Sequence, residues 1–113
     1  MHEMSIVIRF TDIAKDFAVK NNAAKVNKVV LQVGELTGAV PRYLEMFYPA
    51  VVEGTLLEGS KLVVETIEAS VFCTNCGTTY NPCRTELKCP KCQSEQCDVI
   101  DGMSMFVKEI EIE

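Results

Sequence analysis

Four of the six cysteines form two pairs of the same spacing, Cys73-Thr-Asn-Cys76 and Cys89-Pro-Lys-Cys92, with twelve residues between the pairs. A Cys-x-x-Cys turn aims two sulfurs at one point. Two such knuckles facing each other supply four thiolates at tetrahedral angles, with zinc–sulfur distances near ~2.3 Å. Gly77 follows the first pair, where positive φ is often needed, and Pro90 stiffens the second. The spacing therefore predicts a tetrathiolate metal site on Cys73, Cys76, Cys89 and Cys92. Ligand type leaves iron open as well as zinc. A redox Cys-x-x-Cys would normally occur singly in a βαβ context, which this chain does not offer. Cys83 and Cys97 fall outside the pattern and read as free or buried thiols.

A second constellation lies at the start. The single histidine is residue 2. Position alone favours a solvated terminus, but the chemistry of Met1-His2-Glu3 argues otherwise. The α-amine of Met1, the deprotonated backbone nitrogen of His2 and the His2 Nδ1 close a five-membered and a six-membered chelate ring. The backbone nitrogen of Glu3 makes a fourth donor. Four nitrogens in a plane suit Ni(II) or Cu(II), and the Glu3 carboxylate could add charge compensation or an axial oxygen. The bulk of His2 protects Met1 from removal.

The elements that must carry these residues follow from periodicity. Residues 5–21 read as an amphipathic helix with Ile6, Phe10, Ile13 and Phe17 at helical spacing and Val7, Ala14 and Ala18 beside them, stopped at Asn21 and Asn22. Lys25–Glu35 is a β-branched run ending at Gly34, hence a strand. Pro41 suits the first position of a second helix, and Pro49 should kink it or end it near Tyr48. Ser60–Phe72 reads as one strand. Met103 onward reads as another, with Met103, Met105 and Val107 on one face and Phe106, Ile110 and Ile112 on the other. Between the last two, residues 73–98 hold every cysteine and almost no aliphatic side chain, so this stretch needs a metal to order it. The fold expected is α+β: a small three-stranded sheet with two helices (1–70 and 100–113) and an inserted zinc-ribbon-like domain with two knuckles (71–99).

The bulk properties narrow the function classes. A net charge of −5 argues against a nucleic-acid footprint, which needs clustered Lys and Arg. No apolar run nears the roughly 18 residues of a membrane span, and MHEMS lacks the basic start of a signal peptide. A cytoplasmic protein with thiolate ligands rather than disulfides is expected. One terminal histidine, no Gly-rich phosphate loop and metal-saturated thiolates leave little machinery for an enzyme. The rival readings are a zinc-ribbon interaction module and a rubredoxin-like electron carrier.

The Met1-His2-Glu3-Met4-Ser5 start, Gly34-Glu35-Leu36 after a β-branched strand, the two knuckles and the Ile110-Glu111-Ile112-Glu113 ending together resemble the HypA/HybF hydrogenase nickel-incorporation proteins. The resemblance spans essentially the whole chain. It implies a metallochaperone that binds nickel at Met1, His2 and Glu3 and structural zinc at Cys73, Cys76, Cys89 and Cys92. It also implies a HypB-type GTPase as partner and the large subunit of nickel–iron hydrogenase as recipient. Some relatives serve urease maturation proteins too, and a homodimer is compatible with the inserted segment.

Overall fold

The computed structural model describes residues 2–113. Its elements divide between two compact units, one holding residues up to Val33, Ala39–Glu65 and Met105–Glu113, the other Gly34–Gly38 and Thr66–Ser104.

The first unit contains α1 (Glu3–Lys20), β1 (Val26–Gly34, all but its last residue), α2 (Pro41–Val52), most of β2 (Lys61–Ile67) and β6 (Met105–Ile112). The sheet order is β2-β1-β6, with β1 antiparallel to β6. The core gathers Val7, Phe10, Ala14 and Ala18 of α1, Val29, Leu31 and Val33 of β1, and Leu44, Tyr48, Val52 and Leu57. The buried stripe of α1 is thus rotated from the one its largest side chains suggest. Small Ala14 and Ala18 let the helix lie close, while Ile13 and Phe17 stay 53% and 42% exposed. At its end the Ala23 N–H bonds the Ala18 carbonyl and Asn22 adopts φ 53°, the left-handed stop expected of the Asn pair.

Pro49 does not end α2, which runs on to Val52. The proline deprives only the Glu45 carbonyl of a partner, and Glu45 is exposed, so water can take its place. Meanwhile Tyr48 anchors the helix: its ring stacks on Phe10 at 6.0 Å and its hydroxyl meets Ser60 Oγ at 2.6 Å.

β6 departs from simple alternation. Leu31 pairs with Val107 and Val30 with Glu109, so Lys108 is the extra residue of a β-bulge. The bulge resets the parity. Met105, Val107, Ile110 and Ile112 all pack on the core, and Ile110 and Ile112 are not on the opposite face. On the polar face Lys108 pairs with Glu65, and Lys28 with Glu109 and Glu111.

The second unit carries β3 (Ser70–Cys73), β4 (Thr79–Tyr80) and β5 (Cys97–Asp101) in the order β4-β3-β5. Residues 60–72 are therefore not one strand. The chain breaks at Glu68-Ala69 and enters a different sheet. The cause is the Ala69 N–H, which leaves the ladder to bond Glu35 Oε1 at 2.9 Å. Gly102 packs against the same point with φ 92°, and a Cβ there would lie 2.7 Å from Ala69 Cα. Gly102→Ala should destabilise this unit by roughly 1–3 kcal/mol, read as a lowered unfolding midpoint. An unchanged midpoint would show that the close approach is dispensable. Among the described residues no helix is long and apolar enough to cross a membrane.

Candidate metal centre

The second unit has a core too small to fold it. Its core cluster is four buried residues, Val71, Cys73, Tyr80 and Cys89, with Leu36, Cys92 and Cys97 packed beside them. Two of these four buried residues belong to the knuckles, so the core and the metal-ligating groups are largely the same atoms.

The two knuckles are copies of one backbone turn. The Cys73 N–H bonds the Thr78 carbonyl at 2.8 Å, and the Gly77 N–H bonds the Cys73 carbonyl at 2.9 Å. In the second, the Cys89 N–H bonds Ser94 at 2.9 Å, and the Gln93 N–H bonds Cys89 at 2.9 Å. Each turn needs a left-handed residue just after its second cysteine. Gly77 fills it at φ 82° in the first, and Gln93 at φ 67° in the second. The glycine was legible as a turn signal; the glutamine was not.

These turns bring four sulfurs together. The Sγ atoms of Cys73, Cys76, Cys89 and Cys92 all lie within 4.8 Å of one another. Cys73 and Cys92 approach to 3.6 Å, Cys76 and Cys89 to 3.5 Å. A tetrahedron with ~2.3 Å metal–sulfur bonds has sulfur–sulfur edges of ~3.8 Å, so the donor set fits a four-coordinate thiophilic ion. Donors also reach the sulfurs from outside: Asn75 Nδ2 lies 3.4 Å from Cys92 Sγ, and Thr78 Oγ1 lies 3.2 Å from Cys76 Sγ. The Thr78 side chain, then its N–H, pull the Cys76 thiol down to about 6, and Asn75 lowers Cys92. For Cys73 the Cys76 N–H pulls down, but burial and the neighbouring sulfurs outweigh it and push the thiol up to about 11. A bound dication removes that imbalance by favouring the thiolate at all four positions.

The two other cysteines stand outside the cluster. Cys83 is exposed in the turn Pro82–Arg84, its N–H bonded to Asn81 Oδ1 at 2.9 Å. Cys97 sits opposite Cys73 across the β3–β5 ladder, where it packs as a small apolar side chain.

Glu35 is a structural residue that the sequence motif contained without revealing its task. Its Oε1 accepts from the Ala69 N–H at 2.9 Å and from Asn81 Nδ2 at 3.0 Å, tying three separate stretches of the unit together. The Ala69 N–H, the Asn81 amide and the nearby Arg84 charge hold its carboxyl below the usual 4.5. A depressed carboxylate contributes stability above its unfolded pKa and loses it as pH falls through the folded one. Glu35→Ala should therefore speed hydrogen exchange at Ala69 several-fold at neutral pH. The difference from the unaltered protein should vanish well below pH 4.5. Equal exchange rates at pH 7 would refute this role.

At the other candidate site, Met1 lies outside the described residues. His2 is exposed and forms the N-cap of α1, its carbonyl accepting from the Ile6 N–H at 3.1 Å and Ser5 Oγ at 2.7 Å. Glu3 is only 4% exposed, and its Oε2 accepts from the Val40 N–H at 3.3 Å, where α2 begins. Its own N–H, then that of Val40, hold the carboxyl below 4.5. His2 is thus presented to solvent, whereas Glu3 is committed to the start of α2.

Comparison with known proteins finds relatives over the whole chain. The profile of the family described as "Hydrogenase/urease nickel incorporation, metallochaperone, hypA" matches residues 1–112. The hydrogenase maturation factor HypA of Aquifex aeolicus is 37% identical over 113 residues, covering all of this chain and 98% of that protein. That of Chlorobium limicola is 34% identical, covering all of this chain and 97% of that protein. The solution structure of the nickel metallochaperone HypA from Helicobacter pylori shares the fold, with a TM-score of 0.68 at 24% identity over 99% of this chain and 97% of that one. The family profile and these relatives match over essentially the full length, and the chain belongs to the HypA family of hydrogenase/urease nickel-incorporation metallochaperones.

Proposed function

We propose that this chain holds one structural zinc ion on Cys73, Cys76, Cys89 and Cys92. At its start it carries Ni(II) as cargo on the Met1 amine, the backbone nitrogen and Nδ1 of His2, and the Glu3 amide. It hands nickel to the large subunit of nickel–iron hydrogenase together with a HypB-type GTPase. It works as a carrier in the cytoplasm, where Cys83 and Cys97 stay reduced. The observation that carries the nickel assignment is the exposed His2 at the N-cap of α1.

A helix start suits this chelate for an electrostatic reason. The first N–H groups of a helix have no intrahelical acceptor, so an amide there can be deprotonated without breaking the helix ladder. A bare dication would be repelled by the positive end of the helix. Two deprotonated amides cancel that charge, and the nearby Glu3 carboxylate makes the assembly anionic, which the helix start favours. Exposure leaves the metal open to direct attack by a recipient's ligands, the property a carrier needs for release.

The test is nickel titration of tag-free protein beginning at Met1, beside a form with one added N-terminal residue. The extension moves the amine out of the chelate and leaves the fold alone. Binding by the first form only supports the site. Equal binding by both places nickel elsewhere, on the cysteines, and sinks the assignment.

A further inference from the structure

Cys97 stands opposite Cys73 in the β3–β5 ladder. The Thr74 N–H bonds the Gln96 carbonyl at 3.2 Å, whereas the Cys73 N–H points the other way, to the Thr78 carbonyl at 2.8 Å. Hydrogen-bonded and non-hydrogen-bonded pairs alternate along an antiparallel ladder. Cys73 and Cys97 are therefore a non-hydrogen-bonded pair, the kind with Cα atoms about 4.5 Å apart and side chains closest. A disulfide spans Cα separations of about 4.4–6.8 Å. Cys97 also packs against the buried cluster that holds Cys73. It is thus a fifth sulfur within bonding reach of one ligand of the metal centre, while standing outside the four-sulfur cluster.

A second observation lies on the same face of the sheet. Tyr80 pairs with Val71, two residues before Cys73 on β3, so its ring stands on the face that carries Cys73 and Cys97. Tyr80 is 8% exposed. Its hydroxyl is close to the Cys97 sulfur and has no hydrogen-bond partner among the described residues. A buried hydroxyl left unpaired costs stability and calls for a reason. An oxygen added to the Cys97 sulfur would give it an acceptor. Access points to the same atom. Cys73 is fully buried and, with metal bound, its sulfur is engaged; Cys97 is half-buried and unligated, so an oxidant reaches it first.

We infer that Cys73 and Cys97 form a redox pair whose oxidation by a peroxide releases the zinc ion reversibly. The Cys97 sulfur first attacks hydrogen peroxide: an S–O bond forms, the O–O bond breaks, and hydroxide leaves and takes the thiol proton as water. Cys97 is then a sulfenic acid. The Cys73 sulfur leaves the metal and displaces that oxygen as hydroxide, so the S–S bond forms as the S–O bond breaks. The two sulfurs have lost two electrons and the peroxide has gained them. Zinc is left with three thiolates and dissociates, while the new bond staples β3 to β5 and keeps the ladder in register for refilling. A thiol reductant reverses the change. In a reducing cytoplasm Cys97 stays a thiol and the metal stays bound. The inference rests on the zinc reading of the four cysteines and is independent of the nickel site.

The experiment uses the reduced full chain, its zinc content measured first. Hydrogen peroxide is added, released zinc is followed with a chromogenic chelator, and disulfides are mapped by mass spectrometry of unreduced peptides. The unaltered protein should release its zinc and yield a peptide linked through Cys73 and Cys97, and a thiol reductant with added zinc should restore the starting state. Cys97→Ser should bind zinc as before but release it to peroxide about tenfold more slowly or less, since the unligated thiol is the entry point for the oxidant. Cys83→Ser should release zinc at the unaltered rate, because Cys83 lies outside the ladder in the turn Pro82–Arg84. A reduced chain without zinc overturns the zinc reading, and the release falls with it. A zinc-bearing chain whose release is indifferent to Cys97→Ser, or depends on Cys83, overturns the redox pair alone. So do links found only among the four cluster cysteines.

Discussion

Stripping the zinc, or replacing Cys73 by Ser, should unfold the second unit and leave the first standing. Ordering a residue costs roughly 1–2 kcal/mol of backbone entropy, and the second unit has four buried residues in its core to offset it, two of them cysteines of the cluster. A structural zinc site supplies on the order of 10–16 kcal/mol, enough to decide whether the unit is folded. The first unit has its own core from Val7 to Leu57 and needs no such help. Amide exchange separates the two. After chelation, protection across β3 and β5 should collapse, while α1 and β1 stay protected. Cys83→Ser and Cys97→Ser should leave metal content unchanged, since neither joins the sulfur cluster. If β3 and β5 stay protected without metal, the small core suffices and zinc is not what orders the unit.

The cysteine knuckles were readable because their chemistry depends on spacing alone. A ligand pair with two residues between its members makes the same turn in any sequence, and the near-lack of aliphatic residues from 73 to 98 says what has to replace a core. Periodicity fails where a single residue changes the geometry. Lys108 looks like any outward charge in an alternating strand, yet it is the extra residue that moves Ile110 and Ile112 onto the core face. Residues 60–72 carry continuous β character, and nothing local marks the break at Ala69. The break is set by Glu35, thirty-four residues away in sequence. In α1 the largest side chains suggested the buried face, but close helix packing selected Ala14 and Ala18 and left Ile13 and Phe17 outside. Long-range hydrogen bonds and packing distance are the terms that periodicity does not contain.

His2→Ala should lower nickel affinity on the order of a hundredfold or more, since it removes a donor and a chelate ring at once. Loss of mere supporting contacts to a metal ligand costs about 10–100-fold. Glu3→Gln should do far less, because the Glu3 carboxylate is engaged by the Val40 N–H at 3.3 Å rather than turned out to solvent. The pH dependence then separates a chelate with backbone nitrogens from one held by side chains alone. Each amide nitrogen must lose a proton to bind, so two of them make affinity fall by about a hundredfold for each unit of acidification. Isothermal titration with nickel from pH 8 downward would measure it, with zinc content followed in parallel so that loss of the second unit is not mistaken for loss of the site. A slope of tenfold or less per unit would mean that the amides stay protonated and that the planar four-nitrogen arrangement does not form. A steep slope that disappears in His2→Ala would tie the released protons to the start of α1.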